Sequence, residues 1–152
     1  MHFFLDKITA LKIGWNERPL GEADFYRVCK RLRVKVTEMP LRTGGFYYRF
    51  MGRDYIAIDS RLTGAKKLLV QFHELAHLLL HTPESGATAN FHGIGRKTRQ
   101  EREADLFAMC SIIPRTMLET RSPDELAALA DDEGIPAEIL AERIEIFRRY
   151  RI

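Results

Sequence analysis

Two cysteines, one tryptophan and no long hydrophobic run set the first limits on this 152-residue chain. Cys29 and Cys110 lie far apart, and neither has a second cysteine two or three positions away. That spacing argues against a disulfide framework and against a cysteine zinc cluster, so both residues are expected to be buried as small apolar side chains. No stretch approaches the run of about 20 apolar residues that a membrane-spanning helix needs. The N-terminus, Met1-His2-Phe3-Phe4-Leu5-Asp6, meets a charge too early for a secretion signal, and the sequence reads as cytoplasmic with no membrane partner. A large excess of one charge is missing too. The net charge of +3 and pI near 9.0 are far from the dense basic surface of a dedicated nucleic-acid binder.

What is present suffices for a core: 45% of residues are hydrophobic and 30% charged, as expected of one globular domain. Phe25, Val28, Cys29 and Leu32 recur at three- and four-residue steps, which predicts a helix over 21–32. Val34 to Glu38 alternates and is β-branched, a first strand ended by Pro40. The runs 46–50 and 55–59 flank Gly52-Arg53-Asp54 and predict an antiparallel hairpin. From Ala65 to His81 the chain is apolar on nearly every side except at its histidines and Glu74, the pattern of a helix enclosed by the domain. The stretch 84–98 carries three glycines without apolar periodicity and is read as a candidate lid. Further helices are expected over 99–113, 123–131 and 136–150. The fold class is α+β: a small three-stranded antiparallel or mixed sheet packed on the enclosed helix and further helices. Residues 1–122 are read as the main domain, with its core over about 21–119. Residues 123–152 are read as a two-helix extension packed on it.

His73-Glu74-Leu75-Ala76-His77 is an HExxH pattern inside a segment that is helical on other grounds. Residues four apart on a helix lie one above the other, about 5–6 Å between β-carbons, so both imidazoles can reach one Zn²⁺. Glu74 is turned about 100° around the axis from His73 and falls beside the metal, where it can act as general base. The pattern is expected on the order of 0.01 times in a shuffled chain of this composition. Three such groups in an apolar helix without a metal would also form a costly, poorly paired cluster.

A catalytic zinc generally has three protein ligands and an open position. A third histidine six residues after the second is absent, because that position is Pro83. The acidic alternative lies on the next helix. Glu101 and Asp105 share a face with the small residues Ala104 and Ala108, which allows close approach to the His73 helix. Glu101 is the expected ligand and Glu103 the second choice. Glu103 otherwise reads as a surface carboxylate paired with Arg99 or Arg102. Asp105 is placed to accept the free imidazole N–H of His73 or His77.

His73 to His77 followed by Leu80-His81, then Glu101-Arg102-Glu103-Ala104-Asp105-Leu106-Phe107-Ala108 and Pro114, resembles the signature of the ImmA/IrrE family of zinc metallopeptidases. The segment Ile58-Asp59-Ser60-Arg61-Leu62 is similar to what precedes the motif in that family. The resemblance covers roughly 25–118. It implies a minimal gluzincin-like, zincin-type fold, Zn²⁺ as cofactor, and cleavage of a regulatory protein such as a helix-turn-helix repressor encoded nearby. Asp105 stands where the family more often has Asn; either accepts a hydrogen bond. The mechanism implied is metal-assisted peptide hydrolysis with Glu74 moving the proton. His92, Tyr47 and Tyr48 are the candidate oxyanion or substrate contacts, and His81 reads as a helix-end or supporting residue. The rival class is a peptidase-fold binding module, antitoxin-like or repressor-binding, that cuts nothing. Intact Glu74 favours the enzyme. The segments around Leu126 and Leu140, joined through Gly134, have helix-turn-helix spacing, but Glu138, Glu142 and Glu145 would repel phosphate, so packing or partner docking is expected and direct DNA binding is not.

Overall fold

The computed structural model describes residues 2–81 and 98–152. The expected lid and His92 therefore lie outside the described residues, apart from Thr98. The element order is α1 (His2–Thr9), α2 (Glu22–Arg31), β1 (Lys35–Met39), β2 (Gly45–Phe50), β3 (Arg53–Asp59), α3 (Gly64–His81), α4 (Arg99–Ile112), α5 (Arg115–Thr120), α6 (Pro123–Glu133) and α7 (Ala137–Tyr150).

The sheet is mixed, in the order β1-β3-β2. The hairpin forms as its sequence predicts, with Tyr47 opposite Ile56 and Tyr48 opposite Tyr55. β1 then joins the far side of β3 in parallel, Val36 opposite Ile56, across the chain reversal that the hairpin itself supplies. Gly45, Tyr47, Ile56 and Ile58 turn to α3, and the alternate residues Phe46, Tyr48 and Tyr55 turn to the other face. Helices cover one face only among the described residues.

α3 is the centre of the molecule. Its second half, from Gln71 to Leu78, is buried almost all round, as a helix apolar on every side must be. One end is anchored by Lys67, whose ammonium lies 2.6 Å from Glu38 on β1 and 3.0 Å from Glu22 on α2. Along its other side runs α4, the most extensive helix contact in the structure. Ala76 on α3 and Ala104 and Ala108 on α4 have 0–2% exposure, so small side chains set a short distance between the two axes. Thr98 caps α4 by accepting a hydrogen bond from the Glu101 amide at 3.2 Å.

β2 approaches α3 equally closely at Gly45. A β-carbon there would lie 2.8 Å from the Ala57 carbonyl oxygen, 2.9 Å from Val70 Cγ1 and 3.3 Å from Glu74 Cγ. No side chain fits, so glycine brings the strand against the residue following His73.

Two elements were not legible beforehand, α1 and α5. The N-terminal segment is fixed by Trp15, which stacks on Phe107 of α4 at 5.7 Å and donates Nε1–H to the Phe107 carbonyl at 3.0 Å. At the other end Leu126, Ala130 and Leu140 of α6 and α7 join the main core cluster. Ser122 and Glu125 form a capping box at the start of α6, and Gly134 ends it with φ of 69°. The wholly buried guanidinium of Arg143 locks α7 down. It donates to the Ile113 carbonyl at 2.8 Å, to Asn16 Oδ1 at 3.0 Å and to the Ile152 oxygen at 2.7 Å, while burial draws its pKa below the usual guanidinium value.

Two stability effects follow from these contacts. Gly45→Ala forces the carbonyl of Ala57 and the Val70 and Glu74 side chains apart; a loss of about 1–3 kcal/mol is expected in urea unfolding, and an unchanged midpoint would show that β2 is not held against α3 as described. Arg143→Met keeps an apolar stem but removes the donor to the buried Ile113 carbonyl and one donor each from Ile152 and from Asn16 Oδ1, which keeps the Arg115 amide. A loss of about 2–4 kcal/mol is expected, and a variant as stable as the parent would mean that the clasp contributes nothing.

Candidate metal centre

The rim of the α3–α4 contact gathers six ionisable side chains, His73, His77, His81, Glu101, Glu103 and Asp105. Helical spacing places His73 and His77 on one face of α3, with ring centroids 4.8 Å apart. Their Nε2 atoms face each other at 3.1 Å. Glu101, in the first turn of α4, reaches between them: Oε2 lies 3.3 Å from His73 Nε2, and Oε1 lies 3.2 Å from His77 Nε2. His77 is buried at 1% side-chain exposure, whereas His73 and Glu101 keep 14% and 25%, so the cluster opens to solvent on one side.

These separations test whether the residues fit a metal. Four ligands at about 2.0–2.1 Å in a tetrahedron stand about 3.3–3.4 Å from one another. The three donors of His73, His77 and Glu101 all lie within 4.8 Å of one another, with closest approaches of 3.1–3.3 Å as given above. On the outer edge of the His73 ring, Nδ1 is 2.9 Å from Asp105 Oδ1. A carboxylate accepts only, so Nδ1 donates to Asp105, and Nε2 is the nitrogen that an ion would use. A nitrogen lone pair and a carboxylate aimed at one point call for a cation between them, and nitrogen with oxygen is a donor set that a divalent transition ion accepts.

Glu74 is buried at 1% exposure beside this cluster, its stem against Gly45 of β2. The turn of about 100° per residue separates it from His73 around the helix, so the strand side of α3 carries the carboxylate while the α4 side carries the imidazoles.

Glu103, the second choice for ligand, is engaged elsewhere. Its Oε2 lies 2.9 Å from His81 Nε2 and its Oε1 accepts from Arg99 Nε at 2.8 Å. Burial works to raise its pKa, but the hydrogen bonds from His81 and Arg99 outweigh it and hold the carboxyl below its ordinary value. His81 in turn sets its Nδ1 3.1 Å from Nδ1 of His77. His81, expected as a helix-end or supporting residue, is thus joined to Glu103 as well as to His77. The available signal was its place one more turn along the same face, opposite the acidic start of α4.

The two tyrosines are not brought to the cluster as oxyanion donors. Tyr47 is fully buried and its hydroxyl donates to Asp54 Oδ1 at 2.7 Å, next to the hairpin turn. Tyr48 sits on the sheet face opposite α3, stacked on Tyr55 at 4.8 Å. Strand alternation alone forces one of two adjacent tyrosines away from the helix, and a core hydrogen bond takes the other. His92 lies outside the described residues.

A comparison with protein families matches the IrrE N-terminal-like domain of peptidase family M78 over residues 29–145, from α2 into α7. No curated protein and no solved structure matches the chain. The mixed sheet, the enclosed HExxH helix and the carboxylate-bearing helix beside it form a minimal zincin-like α+β fold. The match spans both halves of the His-His-Glu cluster, and the chain belongs to the IrrE-type, M78 family of metallopeptidases.

Proposed function

We propose that this protein is a zinc-dependent endopeptidase, with the ion held by His73, His77 and Glu101, that cleaves a regulatory protein, a helix-turn-helix repressor, in the cytoplasm. The observation that carries the reading is the convergence of two imidazole nitrogens and one carboxylate at 3.1–3.3 Å, with Glu74 adjoining on the same helix. Among the described residues no helix is long and apolar enough to cross a membrane.

An ion held there would supply Lewis-acid polarisation of a carbonyl and would acidify water. The chain's own groups do the rest. Asp105 holds the His73 ring by its Nδ1–H, turning Nε2 toward His77 and Glu101. Glu74 takes the proton of the attacking water and delivers it to the departing amine, a role that suits a carboxylate held close to the imidazoles on the strand side. β2 is the edge of the sheet, bonded to β3 on one side only among the described residues. An extended segment of substrate lying along the hairpin would use backbone N–H and C=O groups for affinity, and Gly45 brings β2 against Glu74. The exposed acidic residues Glu138, Glu142 and Glu145 of α7 disfavour direct DNA binding and leave the partner a protein.

Purified protein is to be mixed with the transcription factor encoded beside its gene, with and without chelator. Cleavage is expected only with metal. Glu74→Gln is expected to retain one zinc per chain and to cut at a rate lower by about 10²–10⁴. Undiminished cutting by that variant would remove Glu74 as the base, and a stable uncut complex with the parent protein would favour a binding module over an enzyme.

A further inference from the structure

We infer that His81 and Glu103 are positioning residues for His77, forming a hydrogen-bonded relay that fixes which ring nitrogen His77 presents to the metal. This rests on the metal-site reading of the previous section and adds a function for two residues that it leaves unused.

Glu103 accepts at both oxygens, from Arg99 Nε at 2.8 Å and from His81 Nε2 at 2.9 Å. His81 thus donates from Nε2, and its other nitrogen, Nδ1, faces Nδ1 of His77 at 3.1 Å. His77 directs its Nε2 at His73 Nε2 and Glu101 Oε1. An ion on His77 Nε2 would put that ring's proton on Nδ1, and His81 Nδ1 stands where the acceptor for it is needed.

His81 is not itself a ligand. It meets His77 on the ring edge that points away from the Nε2 cluster, and it is 4% exposed in a position sealed between the two helices. The relay also answers a geometrical need. His73 reaches a carboxylate directly, Asp105 at 2.9 Å, whereas on the other side Glu103 meets α3 at His81, one turn beyond His77. An imidazole with a donor on one edge and an acceptor on the other spans that turn. Arg99, four residues before Glu103, holds the far end of the chain in place.

Two measurements on the full chain test this. In the zinc-loaded parent protein, nitrogen-resolved imidazole NMR is expected to show the His77 Nδ1–H hydrogen-bonded to a His81 Nδ1 that carries no proton; a His81 protonated on Nδ1 would overturn the inference. Zinc affinity by chelator competition is expected to fall by about 10–100-fold in His81→Phe, and on the order of 10-fold in Glu103→Leu, while His81→Gln, whose amide again offers an acceptor and a donor, stays within a few-fold of the parent. Thermal unfolding of each metal-free variant separates lost folding from lost positioning. Parent-like zinc affinity in a folded His81→Phe protein would sink the relay alone. A parent protein that binds no zinc would sink the metal reading beneath it, and the relay with it.

Discussion

The short distance between α3 and α4 is the constraint on which this molecule depends. Alanines at 76, 104 and 108, all but sealed from solvent, let the two helices come close enough for a carboxylate on one to pass between imidazoles on the other. Larger side chains at that seam would hold the axes apart, and donors that now stand at 3.1–3.3 Å would lose a common point. The contact is made tight by packing and becomes chemical only at its rim. There the sequence changes from alanine, phenylalanine and leucine to histidine and glutamate on the same helical faces.

Polar groups at such a seam carry a desolvation cost, and the structure offsets it by completing their partners. His73 has Asp105, His77 has His81, and His81 has Glu103, which has Arg99. The outer nitrogen of each α3 histidine in the pair is thus committed, and the inner nitrogens are left facing Glu101. The same economy of proton positions that stabilises the rim defines what its centre can hold, because a bare nitrogen beside a carboxylate is satisfied by a cation and not by another hydrogen-bond acceptor. Folding and function draw on one set of contacts.

Much of this was legible because helical geometry is local. The four-residue step from His73 to His77, and the face shared by Glu101, Asp105, Ala104 and Ala108, follow from 3.6 residues per turn and needed no tertiary information. The hairpin was likewise readable from alternation and the Gly52 turn. What escaped the sequence reading depends on contacts between distant segments. β1 chooses β3 as its parallel neighbour, Trp15 finds Phe107, and Arg143 finds Asn16, all across long stretches of chain. Tyr47 and Tyr48 were named for their hydroxyls, but adjacent strand residues cannot both face one helix, and a buried hydroxyl takes the nearest acceptor, here Asp54. Gly45 gave no signal as a motif residue. Its role appears only when the missing β-carbon is set against Ala57, Val70 and Glu74.

The proposed chemistry requires three donors to share one ion. The most direct measurement is zinc-edge X-ray absorption on the purified protein loaded with one equivalent of zinc. One tightly held ion with two imidazole nitrogens and carboxylate oxygen at about 2.0–2.2 Å is the result predicted. Failure to hold zinc, or an unchanged spectrum when His73, His77 and Glu101 are replaced together, would contradict it.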